Sequence, residues 1–147
     1  SVYVDYAHTP EAIEVALKSL KPHILGKLIV IIGAGGERDE GKRPLMGLAA
    51  EKNSDFVIIT DDNPRNEDPQ LIHQMIKNGI KDKNKVMVIG DRAEAILKAV
   101  DLLGVGDCLL IAGKGHETEQ FIGENIFPFD DFEQASLSVS SLDGIER

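Results

Sequence analysis

Continuous apolar runs alternate with helical patterns along almost the whole chain. Residues 2–5 read as a short strand. A helix opens at Pro10, with Ile13, Leu17 and Leu20 on one face and Thr9 as its N-cap. Residues 27–32 form an unbroken apolar strand, and 44–52 a helix with Pro44 in its first turn. The strand 56–60 precedes a helix over 69–80, where Leu71, Ile72, Met75, Ile76 and Ile80 recur at helical spacing. A strand over 86–89, a helix over 92–103 closed by Gly104, and a strand over 107–112 continue the alternation. Residues 120–122 and 125–127 predict a small hairpin around Gly123-Glu124, and 131–142 a last helix.

Most central strands are apolar on both faces, as in parallel sheets covered by helices. The pattern predicts an α/β fold: a Rossmann-like doubly wound, mostly parallel sheet of about six strands flanked by helices. Right-handed crossovers bring every strand's carboxyl end to one edge. Loops 33–38, 61–65, 90–92 and 113–117 then share one rim, where open α/β sheets bind ligands. Polar loops are normal in such folds, but the makeup of these is unusual. Asp62-Asn63-Pro64-Arg65 offers an amide, a carboxylate and a cation, and Gly113-Lys114-Gly115-His116-Glu117 offers close-approach glycines and a second carboxylate. That set suits a zwitterionic small molecule.

The 147 residues suit one domain, with no internal linker or repeat. A net charge of −9 argues against nucleic acid and anionic membranes as partners. No apolar run approaches the ~18 residues of a membrane span. The start has neither an initiator Met nor a signal-type segment and reads at once as a strand, which suggests a fragment of a longer protein. Cys108 is the only cysteine, so no intramolecular disulfide can form, and a reducing cytoplasm is expected.

Two motifs mislead. Gly33-Ala34-Gly35-Gly36-Glu37-Arg38 follows a strand, but Arg38 stands where the dinucleotide fingerprint needs a small residue for close helix–strand packing. Residues 36–43 miss the P-loop by one position, because Arg43 cannot supply the hydroxyl that holds magnesium. Gly113-Lys114-Gly115 lacks the upstream glycine of a P-loop. The four histidines, His8, His23, His73 and His116, do not have the spacing of a zinc site. No metal site and no catalytic triad is expected.

Five segments, in order, resemble the carboxy-terminal domain of the Mur ligases, and within them the meso-diaminopimelate-adding (UDP-N-acetylmuramoyl-tripeptide synthetase) branch. They are Val4-Asp5-Tyr6-Ala7-His8-Thr9-Pro10; Gly35-Gly36-Glu37-Arg38-Asp39 with Gly41-Lys42-Arg43-Pro44-Leu45-Met46-Gly47; Asp61-Asp62-Asn63-Pro64-Arg65; Gly90-Asp91-Arg92-Ala93-Glu94-Ala95-Ile96; and Ala112-Gly113-Lys114-Gly115-His116-Glu117. The resemblance implies that residues 1–147 are the third domain of a three-domain enzyme. In such an enzyme the first domain binds the UDP-sugar, the second carries the P-loop and magnesium, and the third brings the incoming amino acid. ATP activates the D-glutamate γ-carboxylate of UDP-N-acetylmuramoyl-L-alanyl-D-glutamate as an acyl phosphate, and the amine of diaminopimelate displaces phosphate. The diaminopimelate-binding positions map to Arg38, Asp62, Asn63, Pro64, Arg65, Gly113 and Glu117. Asp5 and His8 fall in the segment that reaches the nucleotide. ATP and Mg2+ are expected mainly on the preceding domain, the enzyme is expected to be a cytoplasmic monomer, and this chain alone is expected to be inactive. The chain departs from the pattern at Glu119, where relatives usually carry an aromatic residue, and at Glu37, where they usually carry aspartate.

The chemistry of the ligand agrees. Diaminopimelate differs from lysine by one distal carboxylate, and an arginine fork matches a carboxylate bidentately. Pro64 fixes its own φ and biases Asn63 toward extended geometry, which stiffens the loop before Arg65. Glu117 can pair with the distal ammonium. The plain alternatives are a surface ion pair for Arg65, worth ~0–1 kcal/mol, and charge complementarity at a helix start for Glu117. Two other functions compete: a folate polyglutamate-type ligase domain, which the Asp-Asn-Pro-Arg motif disfavours, and a stand-alone amino-acid-binding module without catalysis.

Overall fold

The computed structural model describes residues 1–143. Its elements run β1 (Val2–Asp5), α1 (Pro10–Leu20), β2 (Leu28–Ile32), α2 (Lys42–Asn53), β3 (Phe56–Ile59), α3 (Pro69–Asn78), β4 (Val86–Val88), α4 (Arg92–Leu102), β5 (Cys108–Ala112), β6 (Glu119–Ile122), β7 (Asn125–Pro128) and α5 (Asp131–Asp143). Five strands form a parallel sheet in the order β1-β5-β2-β3-β4. That is one strand fewer than the alternation suggests. The segment 119–128 does not join the sheet; β6 and β7 pair antiparallel as a hairpin of their own.

The sheet is buried from both sides, as its doubly apolar strands require. Along β2, Leu28, Val30 and Ile32 point to one face and meet Ile13 and Leu17 of α1, Met46 and Ala50 of α2, and Ile72 and Ile76 of α3. The alternate residues Ile29 and Ile31 face Ala95, Ile96 and Ala99 of α4 and Ala135 of α5. This is the period-two alternation of a strand with two cores instead of one. At roughly 25 cal/mol per Å² of apolar surface removed from water, these two layers supply the main folding drive.

Helix starts follow the expected chemistry. Thr9 accepts from the Ala12 amide at 3.1 Å, Asp68 from Gln70 at 2.9 Å, and Asp91 from Ala93 at 2.9 Å and Glu94 at 3.3 Å. One boundary differs: α2 begins at Lys42, not at Pro44. Amides of the first helical turn have no intrahelical partner in any case, so a proline there costs no hydrogen bond. The turn bonds from Lys42 N to Asp39 O and from Arg43 N to Glu40 O wind the helix up before the proline is reached.

Candidate functional site

Four loops meet above the carboxyl edge of the sheet and enclose a cavity of about 330 Å³. They follow β1 (Tyr6, His8, Thr9), β2 (Gly33, Ala34, Gly35, Arg38, Asp39), β3 (Asp62, Asn63, Arg65) and β5 (Gly113, Glu117), while Lys42, Arg43 and Met46 enter from α2. The site lies above β1, β5, β2 and β3, at the place in the sheet where β5 is inserted between the consecutive strands β1 and β2. The loop at 90–92 takes a supporting place instead. The Gly90 carbonyl accepts from the Asp61 amide at 3.1 Å and from Thr60 Oγ1 at 3.0 Å, which fixes the start of the 61–65 loop.

Arg65 stands at φ 54°, a left-handed conformation unusual for a side-chain-bearing residue. The hairpin holds it there. The Arg65 amide donates to Phe121 O at 3.0 Å, the Gly123 amide donates to Arg65 O, and Arg65 bridges to Ile122. Its guanidinium carbon lies 6.0 Å from the centre of the Phe121 ring. Nη1 donates to the carbonyls of Gly36 at 3.1 Å and Asn63 at 3.3 Å. Arg65 makes no ion pair among the described residues, and its Nε and Nη2 have no protein partner there. Glu117 lies in a turn that its amide closes on Lys114 O at 3.0 Å, and no helix starts there. Arg38 is exposed on the cavity wall with no hydrogen bond or ion pair among the described residues.

Glycines let the loops approach. A Cβ on Gly36 would stand 1.8 Å from the Pro64 carbonyl oxygen. Gly113, at φ 116°, passes so close that a Cβ would be 3.0 Å from Asp62 Oδ2. Pro64 does not line the cavity; it shapes the loop against Gly36. Asp62 is buried at 7% exposure, with Oδ1 lacking a hydrogen bond and the Lys114 ammonium 3.6 Å away. His8 reaches the cavity, its Nδ1 2.9 Å from Tyr6 O. Asp5 does not: its carboxylate accepts from the Ala7 amide at 2.9 Å and shapes the turn after β1. The Glu119 side chain is exposed, and the residue serves the site through its carbonyl, which accepts from Lys114 Nζ at 2.8 Å.

Three buried cations, each inside one of the quoted motifs, brace these loops, a role the motifs themselves do not reveal. Arg43 binds Glu67 and donates to Gly35 O at 3.0 Å. The pairing with Glu67 raises the Arg43 guanidinium's affinity for its proton, and the same hydrogen bond holds the Glu67 carboxyl below its ordinary range. Arg92 forms a two-bond fork with Asp131, at 2.7 and 2.6 Å, and donates to Asp61 O and Ala112 O, both at 3.1 Å. Burial works most strongly against its charge, but the pair with Asp131 and the nearby Asp62 and Asp61 together outweigh this and its pKa is raised. Lys114 is fully buried, and burial pushes its ammonium pKa down against the opposing pull of Asp62. Arg43 and Arg92 lie in the first turns of α2 and α4, where the helix dipole disfavours cations. That misplacement is the signal in the sequence that each has a partner elsewhere.

The sequence pattern described as Mur ligase, glutamate ligase domain, matches residues 1–115. The chain belongs to the Mur ligase family. It is 54% identical over 138 residues to the UDP-N-acetylmuramoyl-L-alanyl-D-glutamate–2,6-diaminopimelate ligase of Coxiella burnetii, covering 94% of this chain and 28% of that protein. A solved structure of a ligase of the same name superposes with a TM-score of 0.94 at 42% identity, over 98% of this chain and 30% of that one. Folylpolyglutamate synthase from Thermotoga maritima aligns less well, with a TM-score of 0.52 at 25% identity over 73% of this chain and 23% of its own. The chain thus spans little more than a quarter of the Coxiella Mur ligase, at 28% of its length. Among the described residues, no helix is long and apolar enough to cross a membrane, and no group of three or more His, Cys, Asp or Glu could hold a metal ion.

Proposed function

We propose that this chain is the amino-acid-binding carboxy-terminal domain of a three-domain, ATP-dependent ligase that adds meso-diaminopimelate to UDP-N-acetylmuramoyl-L-alanyl-D-glutamate in peptidoglycan precursor synthesis. One observation carries the reading. The 62–65 loop is braced so that the Nε and Nη2 edge of Arg65 has no partner among the described residues, on a wall shared with the Glu117 carboxylate. A cation fork and an anion on one wall match the distal carboxylate and distal ammonium of diaminopimelate. Arg38 offers a further unpaired cation to the ligand's other carboxylate. Gly113 gives close access, and Asp62 and Pro64 hold the loop in shape.

In the reaction, the D-glutamate γ-carboxylate takes the γ-phosphoryl group of ATP and becomes an acyl phosphate, releasing ADP. The amine of diaminopimelate attacks the acyl carbon, a C–N bond forms, the C–O bond to phosphate breaks, and the amine loses a proton. This domain's part is to hold the amine in line while the preceding domains hold ATP, Mg2+ and the UDP-sugar. Asp5 shapes, and His8 lines, the segment that closes on the nucleotide. The enzyme works as a cytoplasmic monomer, and the isolated chain releases no phosphate, because the stretch 36–43 lacks a P-loop hydroxyl.

The test is phosphate release by the intact ligase with diaminopimelate, lysine and glutamate in turn. We expect kcat/KM for diaminopimelate to exceed that for lysine by roughly 10⁴, since lysine leaves the Arg65 fork without an anion. A preference for glutamate would overturn the reading in favour of a folate-type ligase.

A further inference from the structure

The amide of Asn63 has a fixed polarity. Its Oδ1 accepts from Lys114 Nζ at 2.9 Å and from the Phe121 amide at 3.0 Å. An amide oxygen has two lone pairs, and both are taken. Both partners can only donate, so the orientation of the amide is set by chemistry and not by choice of fit. The Nδ2 group is left with its two N–H donors and no protein partner among the described residues, on a residue that lines the cavity. At this point of the wall the Asn63 side chain offers donors alone. A carboxylate oxygen is welcome there; an ammonium would meet hydrogen against hydrogen.

Lys114 is built for this. It is fully buried, which is costly for an ammonium without partners. Its Nζ reaches Asn63 Oδ1 and Glu119 O, at 2.9 and 2.8 Å, and faces Asp62 Oδ1 at 3.6 Å. One cation therefore ties the loop after β5 to the loop after β3 and to the start of β6. We propose that Lys114 is a positioning residue: it locks the Asn63 amide with its donors free, so that the site accepts a carboxylate beside Arg65 and refuses an ammonium. This inference rests on the diaminopimelate reading above and adds to it the residue that sets the polarity of one contact.

The experiment uses the intact ligase with Lys114→Met, Asn63→Ala, the double variant and Asn63→Asp, measuring KM for diaminopimelate and for ATP and the melting temperature. Lys114→Met is expected to raise KM for diaminopimelate roughly tenfold, the equivalent of one charge-assisted hydrogen bond, with KM for ATP within about twofold. Combined with Asn63→Ala it should add nothing, because Lys114 acts through Asn63. Additive losses, or equal changes in both KM values, would show Lys114 to be a general brace and overturn the proposal. Asn63→Asp keeps an acceptor for both Lys114 and Phe121 and replaces the two donors by a second carboxylate oxygen, whose charge the Lys114 ammonium faces. It should melt as the wild type does and still raise KM for diaminopimelate at least about tenfold. If Lys114→Met does not fold, this variant decides: an unchanged KM in Asn63→Asp overturns the proposal. A wild-type enzyme that ignores diaminopimelate would instead remove the substrate reading. A selective wild type with an indifferent Lys114→Met would leave that reading standing and remove Lys114.

Discussion

Arg65 Nη1 is anchored to the carbonyl oxygen of Gly36 at 3.1 Å, across two loops that follow different strands. The anchor uses one nitrogen of the guanidinium and leaves its Nε and Nη2 edge, the half that can grip a carboxylate with two parallel bonds. The guanidinium is therefore held by the protein itself, with the Phe121 ring 6.0 Å away on one side and the left-handed backbone holding its base.

The first prediction follows from that anchor. Arg65→Ala in the intact ligase should lower kcat/KM for diaminopimelate by roughly 10²–10³, the cost of leaving a desolvated carboxylate unpaired. Activity with lysine, already poor, should hardly move, because lysine has no distal carboxylate to lose. Arg65→Lys should recover only part, since a point charge does not reproduce the fork. The readout is the ratio of kcat/KM for the two amino acids in each variant. An equal drop for both would make Arg65 a structural residue.

Gly36→Ala tests the same anchor from the other loop. The backbone of Gly36 is not in the left-handed region, so conformation is no obstacle. Space is: the new Cβ would stand 1.8 Å from Pro64 O, and the two loops must part. Parting them breaks the bond from Gly36 N to Asn63 O and the one from Arg65 Nη1 to Gly36 O. Overpacking of this kind costs ~1–3 kcal/mol. KM for diaminopimelate should rise several-fold while KM for ATP stays near wild type. A silent substitution would mean that the loops slide apart freely and that the anchor is not what holds Arg65.

How far the sequence foretold this site depended on whether a residue acts alone or through a partner. Asn63, Arg65, Gly113 and Glu117 were singled out by the unusual makeup of their loops at the ends of buried apolar strands, and all four line the cavity. Their convergence on one rim followed from the parallel direction of the strands, which puts every carboxyl end on one edge. The hairpin was legible from Gly123-Glu124, but its use was not. Gln120 Nε2 donates to Asp62 O at 2.8 Å, and Phe121 contacts both Asn63 and Arg65, yet these partners are 56 or more residues apart in sequence. Pairings over such distances leave no periodic trace. Lys114 stood in the sequence only as part of a glycine-rich motif, and Arg43 showed only by its place at a helix start that a partner lay elsewhere; which anion and carbonyls hold each cation shows once those partners are placed. Asp5 illustrates the opposite case: it belongs to a functional-looking segment, but its carboxylate is occupied in shaping the backbone.

The Arg92–Asp131 pair gives a stability prediction independent of any ligand. Both side chains are at 0% exposure, and Arg92 joins the ends of β3 and β5 through Asp61 O and Ala112 O. Asp131→Ala would leave a buried guanidinium uncompensated, at a cost of ~3–5 kcal/mol. Thermal unfolding should then fall by on the order of 10 °C. Adding Arg92→Met removes the stranded charge and should recover part of the loss. Recovery stays incomplete, because the two strand-end carbonyls also lose their donor. A fall of only a degree or two in Asp131→Ala would mean that the pair does not hold the rim together.

Glu67 predicts how the site responds to acid. The hydrogen bond from Arg43 holds its carboxyl below the ordinary range in the folded protein, with burial working the other way. An unfolded glutamate titrates near pH ~4.3. A folded-state pKa below the unfolded one gives stability that is present above the unfolded value and lost as pH falls through the folded value. Glu67→Gln should therefore lower the melting temperature by a constant amount between about pH 6 and 8, where Glu67 is ionised in both states. The gap should close as pH drops below ~4, where the wild-type carboxylate takes up a proton and becomes the neutral equal of the variant. Because Glu67 also accepts from the Glu37 amide at 3.1 Å, and its partner Arg43 holds Gly35 O, the same variant should loosen the 33–38 loop and raise KM for diaminopimelate. Melting curves of wild type and Glu67→Gln from pH 3 to 8 decide the point: a gap that persists undiminished at low pH would mean that Glu67 contributes shape and not charge.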